Sequence, residues 1–151
     1  MAKKNVKNLV LALAVAGALA GCAAGGGKSG VQLRDLSNST YFITETMFSD
    51  MDFPSLQRNL YQHRSACGSA PRFVMEERET SLATLIETAE IPESYDHVVV
   101  VELIQYPESW RANKRVAARA YSYYYNDDVQ KRLDRMLDAV LRPGTCEPTA
   151  Q

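Results

Sequence analysis

The sequence predicts an α+β protein of two layers, in which two helices pack on one face of an antiparallel sheet of about four to five strands. Three observations predict this class. Residues 97–106, HVVVVELIQY, are a dense β-branched run typical of a central strand. Residues 53–66 and 126–141 place apolar side chains at helical spacing. Short polar turns separate the other strand candidates, which favours antiparallel pairing of neighbours.

The predicted order of elements is β-α-β-β-β-β-α, and it begins with a strand over residues 40–48. This segment, TYFITETMF, is rich in β-branched and aromatic residues. The first helix is predicted over 53–66. The sequence Ser49-Asp50-Met51-Asp52 offers capping residues for its N-terminus, Pro54 suits its first turn, and Gly68 lies where the helix should end.

The region between the two helices predicts the remaining strands. Residues 72–77 have an extended pattern. Residues 78–90 match a helical period but also carry β-branched side chains, and we predict a strand over 82–90. Residues 115–125 alternate between two faces and predict the last strand, after the central strand over 97–106.

The last helix is predicted to start at the sequence Asn126-Asp127-Asp128. The asparagine is a good N-cap, and the two acids lie at the positive end of the helix. Pro143-Gly144 should end it. The apolar stripe of this helix comprises Val129, Leu133, Met136, Leu137, Val140 and Leu141.

The N-terminal segment has the pattern of an export signal. Lys3, Lys4 and Lys7 precede an uncharged run from Leu9 to Ala20. This run of 12 residues is shorter than the about 20 residues that span a membrane. A basic start, a short apolar run and small residues after it are typical of a secretory signal peptide.

The sequence Leu19-Ala20-Gly21-Cys22 resembles the lipobox of bacterial lipoproteins. The resemblance implies that the Cys22 sulfur receives a diacylglyceryl group and that a peptidase cuts before Cys22. It also implies that the new N-terminus is acylated. Ala23 follows, where an aspartate would retain the protein at the inner membrane, so the resemblance implies the outer membrane of a Gram-negative cell. The alternative is an ordinary signal peptide with an incidental cysteine.

The chain is therefore expected to divide into three parts. Residues 1–21 are the signal peptide, 22–39 are the lipidated cysteine with a flexible tether, and 40–151 are a single domain. Residues 23–30, AAGGGKSG, are too small to form a core, and 31–39 are expected to be a loop. The mature 130 residues carry 14 basic and 18 acidic side chains, a net charge of −4 against −1 for the whole chain.

The other two cysteines, Cys67 and Cys146, are expected to form a disulfide, because an exported protein enters an oxidising compartment. The alternative is a metal site, since His63 and Cys67 stand four residues apart on a predicted helix. Such a site needs further ligands, and the sequence shows no tight ligand cluster.

No catalytic constellation is evident. The chain has two histidines, His63 and His97, and no G-x-S-x-G elbow beside either. The glycine-rich residues 25–28 lack the spacing of a phosphate-binding loop. We therefore expect no catalytic residue, no metal and no cofactor, and the protein is predicted not to be an enzyme. An envelope hydrolase is the least favoured alternative.

One face of the last predicted strand is unusually rich in arginine and tyrosine, residue types that are enriched in binding surfaces. This candidate binding face comprises Arg115, Arg119, Tyr121, Tyr123 and Tyr125. An ordinary exposed sheet face is the alternative. The opposite side of the strand carries small residues, which would let a helix approach. The expected partners are the membrane, through the anchor, and an envelope protein or peptidoglycan. The acidic mature chain argues against nucleic acid.

The element order over residues 40–142 also resembles a shortened helix-grip fold of the START-like or plant-allergen-like family. The resemblance implies a cavity between the sheet and the last helix. It therefore supports a second hypothesis, in which the protein carries a small apolar ligand. The first hypothesis is a non-enzymatic, lipid-anchored binding or envelope-assembly module facing the periplasm.

Overall fold

The structure is a computed structural model that describes residues 30–108 and 113–146 of the chain. These residues form five strands and three α-helices. The strands are β1 Phe42–Ser49, β2 Arg72–Met75, β3 Leu82–Ile86, β4 Val100–Tyr106 and β5 Arg115–Tyr121. The helices are α1 Leu33–Leu36, α2 Phe53–Cys67 and α3 Asp127–Leu141. One turn of 3-10 helix, Ser39–Tyr41, precedes β1.

The five strands form one open antiparallel sheet in the order β1-β5-β4-β3-β2. Strands β2 to β5 follow one another as a meander, and β1 pairs with β5 at the far edge. The strand predicted to be central, β4, is the middle strand. The predicted α+β class with an antiparallel sheet is therefore confirmed.

Helices α2 and α3 pack on the same face of the sheet and share one core with it. Alternate strand residues enter this core, among them Leu85, Leu103 and Val116, which are fully buried. The small residues Ala118 and Ala120 of β5 also face the helices. The helices contribute Phe53, Leu56 and Leu60 from α2 and Val129, Leu133, Met136, Ala139 and Val140 from α3.

A second, smaller cluster lies on the other face of the sheet and was not predicted. The short helix α1 places Leu36 there, with none of its surface exposed, beside Val100 and Tyr121. The backbone N–H of Tyr95 donates to the carbonyl oxygen of Val31 at 2.9 Å. The expectation of a loop over residues 31–39 is therefore wrong for α1. Apolar side chains of this short stretch reach the sheet, so Val31, Leu33 and Leu36 belong to the packed domain.

All five strands differ from their predicted bounds. β2 ends at Met75 rather than at residue 77, and the other four strands lose predicted residues at one row of the sheet. The row joins Phe42, Tyr121, Val100, Ile86 and Arg72 across the five strands. A strand persists only while a neighbour offers backbone hydrogen bonds. The alternating pattern continues beyond the row in the predicted strands over 82–90, 97–106 and 115–125. Past the row, two strand pairs each make one further backbone hydrogen bond, from Glu87 N–H to the Val99 carbonyl oxygen and from Ser122 N–H to that of Tyr41, and the strands end there.

The predicted disulfide joins the end of α2 to the segment after α3. The Cα atoms of Cys67 and Cys146 lie 5.4 Å apart, within the normal range for a disulfide. Gly68 ends α2 in the left-handed conformation, with φ of 80°, and its N–H donates to the carbonyl oxygen of Arg64. The side-chain amide of Asn59 also reaches the Val140 carbonyl oxygen at 2.8 Å, so side-chain and covalent links join the two helices.

Asp52 caps α2 and also binds the segment before β5. Its Oδ1 accepts the backbone N–H of Ser55 at 2.9 Å, and Lys114 Nζ donates to its Oδ2 at 2.8 Å. These contacts favour the charged form, and the hydrogen bond from Lys114 is the largest cause. They hold the pKa of Asp52 well below its usual range.

We expect Asp52→Asn to destabilise the protein by about 0.5–1 kcal/mol at pH 7, the value of a partly exposed ion pair. Asparagine keeps the cap, so the loss is chiefly electrostatic. Because the folded pKa is lowered, this stabilisation is complete above the unfolded pKa of about 3.9 and disappears as the pH falls through the folded value. Urea unfolding of both proteins between pH 7 and pH 2.5 measures the difference.

Lys114→Met is the matched control, because it removes the other partner of the same pair. The double variant should lose little more than either single variant. A stability difference between wild type and Asp52→Asn that stayed constant down to pH 2.5 would contradict this account.

Candidate functional site

The candidate binding face is divided by the end of β5. Arg115, Arg119 and Tyr121 lie within the strand, on the sheet face opposite α2 and α3. Tyr123 and Tyr125 lie beyond it, in the connection to α3. The five side chains therefore do not share one strand face as the alternation predicted.

The two arginines of β5 are engaged within the sheet. The Arg115 guanidinium lies over the ring of Tyr106, 5.0 Å from its centre. Arg119 Nε donates to Glu45 Oε2 at 2.7 Å, and this bond raises the pKa of the arginine further. Exposed pairs of this kind contribute at most about 1 kcal/mol, so a partner could still compete for these groups.

Tyr121 is nearly buried, with 7% of its surface exposed. Its ring packs edge-on against Phe42, with centres 5.9 Å apart. Burial raises the pKa of the Tyr121 hydroxyl, and the nearby Glu102 carboxylate adds to the effect. Tyr121 therefore belongs more to the packing of the sheet than to an exposed binding face.

A continuous row of aromatic rings lies just past the end of β5. We call Tyr41, His97, Tyr123 and Tyr124 the aromatic surface. Tyr41 stacks on Tyr123 at 5.1 Å between ring centres, and Tyr123 meets Tyr124 edge-on at 4.8 Å. His97 stacks on Tyr124 at 5.3 Å. Tyr123 is 37% exposed and Tyr124 is 49% exposed, so ring area remains open to solvent.

Backbone pairing and helix capping hold this row in place. The N–H of Ser122 donates to the carbonyl oxygen of Tyr41 at 3.1 Å, which ties the β5–α3 connection to the turn before β1. Asn126 Oδ1 accepts the N–H of Val129 at 2.9 Å and starts α3. The connection between these two anchors is short, so its tyrosines are confined to one region of the surface.

A hollow of about 340 Å³ opens beside the aromatic surface. The segment before β4, the β5–α3 connection and the first turns of α3 form its walls. Its lining includes Asp96, His97, Ser122, Tyr124, Asn126, Asp128 and Arg132. The volume lies within the range of small-ligand sites, about 300–1,000 Å³.

Arg132 forms one side of the hollow and is firmly bound there. Its Nε donates to Glu87 Oε1 at 2.7 Å, and its Nη2 donates to Glu87 Oε2 and to the carbonyl oxygen of His97. Its Nη1 lies 3.7 Å from Asp128. The hydrogen bond with Glu87 is the main cause that raises the Arg132 pKa. This pair holds α3 against the ends of β3 and β4.

A larger cleft of about 580 Å³ lies at the disulfide end of the two helices. Apolar side chains at its edge include Ala70, Met136 and Ala139, and the disulfide itself contributes to its wall. His63 Nδ1 lies 3.8 Å from Cys67 Sγ in the same cleft. Because Cys67 is bonded to Cys146, its sulfur is not a free thiolate that could bind a metal together with His63.

The sequence missed Tyr41, Tyr124 and His97 as neighbours of the predicted binding residues. Tyr124 was placed on the opposite strand face from Tyr123, because the alternation was carried past Tyr121. One signal was present: Asn126 caps a helix, and a strand cannot run to Tyr125 without room for a turn. The contact of His97 with Tyr124 spans two elements and has no local signal.

Comparison with known proteins adds no relative. Neither a family model, nor a curated protein, nor a solved structure matches this chain. No helix in residues 30–108 or 113–146 has the length and apolar character to cross a membrane. Within those ranges, no three His, Cys, Asp or Glu side chains are grouped to hold a metal ion.

Proposed function

We propose that the protein is an exported lipoprotein, anchored to the outer membrane through Cys22, whose domain is a non-enzymatic binding or envelope-assembly module of the periplasm. The observation that carries the proposal is the division of the three cysteines. Cys67 and Cys146 bond to each other, and Cys22 follows the lipobox-like sequence Leu19-Ala20-Gly21. Structural disulfides persist in oxidising compartments, which supports export.

The position of the first described residues supports a short distance between domain and membrane. Cys22 and Gly30 are separated by eight peptide links, which reach at most about 29 Å when extended. Gly30 lies against the side chains of Ser94 and Asp96. Asp96 also lines the hollow, so Gly30 lies close to that part of the domain.

The aromatic surface supports a binding role for the domain. Tyrosine and histidine rings with exposed faces provide contact area and hydrogen-bonding groups at low conformational cost. Four rings in contact, of which Tyr123 and Tyr124 are the exposed tyrosines, lie beside a hollow lined by polar side chains and form one continuous surface. We infer that this surface, more than the arginines of β5, contacts the partner.

A carrier of a small apolar ligand is the second candidate, and the cleft at the disulfide end favours it. The space between sheet and helices is filled by the shared core, with Leu103, Leu133 and Val140 fully buried. The resemblance implied a cavity between the sheet and the last helix for the ligand; core side chains occupy that space, so a carried ligand would lie in the open cleft along α3 instead. Extraction of a radiolabelled lipid from vesicles would distinguish a carrier from a binding module.

We expect Cys22→Ser to abolish lipid attachment and release the domain from membranes. Cells that express the full chain are labelled with an alkyne fatty acid and fractionated on a density gradient. Wild type should carry the label and sediment with outer membranes, since several acyl chains anchor a protein stably. The variant should be unlabelled and found in the soluble fraction.

Cys146→Ser is the matched control, because it removes a cysteine without touching the lipobox-like sequence. It should keep the label. Equal labelling of wild type and Cys22→Ser, or an unlabelled wild type, would refute the anchor.

A further inference from the structure

We propose that the hollow and the aromatic surface bind a neutral glycan, with sugar rings packed on Tyr123 and Tyr124. This inference rests on the proposed function, because it names the ligand class of the binding module. It is carried by the combination of exposed ring faces, polar walls and an acidic hollow.

The rings provide a platform that exists before a ligand arrives. Tyr124 contacts both His97 and Tyr123, with ring centres at 5.3 and 4.8 Å, and Tyr41 stacks on Tyr123 at 5.1 Å. A pyranose ring has an apolar C–H face that packs on an aromatic face, and its hydroxyls point to the sides. Pre-organised rings bind such a ligand with little loss of side-chain freedom.

The walls of the hollow match the edges of a sugar. Asp96 already accepts a hydrogen bond from the Ser94 hydroxyl, and one oxygen of Asp128 faces Arg132. The remaining acceptor positions of the two carboxylates can accept hydrogen bonds from sugar hydroxyls, and charge-assisted bonds of this kind are strong. The Asp128 side chain is 71% exposed and so is accessible. Asn126 uses its Oδ1 to cap α3, and its amide N–H groups are the part that can donate to a ligand.

Charge decides between ligand classes. Two carboxylates and one guanidinium line the hollow. The guanidinium of Arg132 binds Glu87 and the His97 carbonyl oxygen and also lies 3.7 Å from Asp128, so three carboxylates share one positive charge. Phosphates, sulfates and anionic lipid headgroups would meet net negative charge there. Neutral sugars carry no charge, so the negative charge of the hollow does not repel them.

A basic peptide would also tolerate the charge, but the arrangement of rings favours a sugar chain. The aromatic surface is a chain of four contacting rings in which Tyr123 and Tyr124 stand nearly perpendicular, rather than a cage around one point. Two rings in different orientations suit a ligand with more than one sugar unit, whereas a single cation needs one ring or a cage. The volume of about 340 Å³ accommodates a small ligand or the end of a chain.

The test is calorimetric titration of the full-length chain, purified in detergent, with an N-acetylglucosamine tetramer, cellotetraose and hexalysine. Tyr124→Ala should weaken tetrasaccharide binding at least about tenfold, which corresponds to about 1.4 kcal/mol. Tyr124→Phe keeps the ring and should bind nearly as wild type. Tyr61→Ala is the control, because Tyr61 is 75% exposed on α2 and is not part of the aromatic surface.

Cosedimentation with purified peptidoglycan identifies the source of the sugar. Binding to the tetramer and to peptidoglycan supports an N-acetylated wall glycan, and binding to cellotetraose without peptidoglycan supports another neutral glycan. Absence of all glycan binding, equal loss in Tyr61→Ala, or preference for hexalysine would overturn the inference. Lipid attachment at Cys22 is read separately by mass spectrometry, so a failed titration with an acylated protein refutes the glycan site and not the anchor.

Discussion

Replacing Cys67 and Cys146 together with serine is expected to lower the free energy of unfolding by about 2–5 kcal/mol. The bond closes a loop with a sequence separation of 79 residues. The chain-entropy account gives about 4.5 kcal/mol for a loop of this length, as an upper value. Since domains of this size are stable by only about 5–15 kcal/mol, the variant should be markedly weakened.

Urea unfolding in a Cys22→Ser background, which avoids attached lipid, measures this effect. Wild-type protein treated with reductant should unfold at the same urea concentration as the double serine variant, and reductant should not change the variant further. Unfolding of wild type at one midpoint with and without reductant would show that the bond is absent or contributes nothing.

Substitution of Leu36 by alanine is expected to cost about 2–3 kcal/mol. Buried Leu→Ala changes cost about 2–5 kcal/mol, and the lower part of the range applies because α1 has four residues and can detach from the sheet. Leu36 has no exposed surface and packs against Ile86, Val100 and Tyr121. Its removal leaves a cavity that the surrounding strands cannot fill.

Leu141→Ala is the matched control on α3, because Leu141 is 48% exposed. It should change stability by no more than about 0.5 kcal/mol. Urea unfolding of both variants in the same background compares them. Equal, small effects would mean that residues 31–36 behave as part of a tether, as the composition of this region suggested.

Local patterns predicted most of the elements, because each carries its own signal. The capping residues Asp52 and Asn126 both cap helices in the structure, and Gly68 ends α2. The disulfide followed from counting cysteines in an exported chain, since only one internal pair was left. The ambiguous stretch over 78–90 contains β3, because a sheet neighbour on each side selects the strand.

The position of strand ends could not be predicted in the same way. Tyr121 ends β5 because Phe42 and Val100, its partners on both sides, begin their strands at that row. Residues 122–125 alternate in the same way as residues 115–121, so the alternation does not show where the strand ends. This boundary decides whether Tyr123 and Tyr125 extend a sheet face or lie in a connection.

Sequence alone predicted the α+β class, the approximate limits of α2 and α3 and the favoured pairing of Cys67 with Cys146, because periodicity, capping and cysteine count are properties of the chain itself. Only the tertiary structure decided that Leu36 is core, and that His97 lies on Tyr124 beside Asp96 and Asp128. These contacts join segments far apart in the chain. The order of the strands in the sheet and the positions of their ends determine which of these residues come into contact.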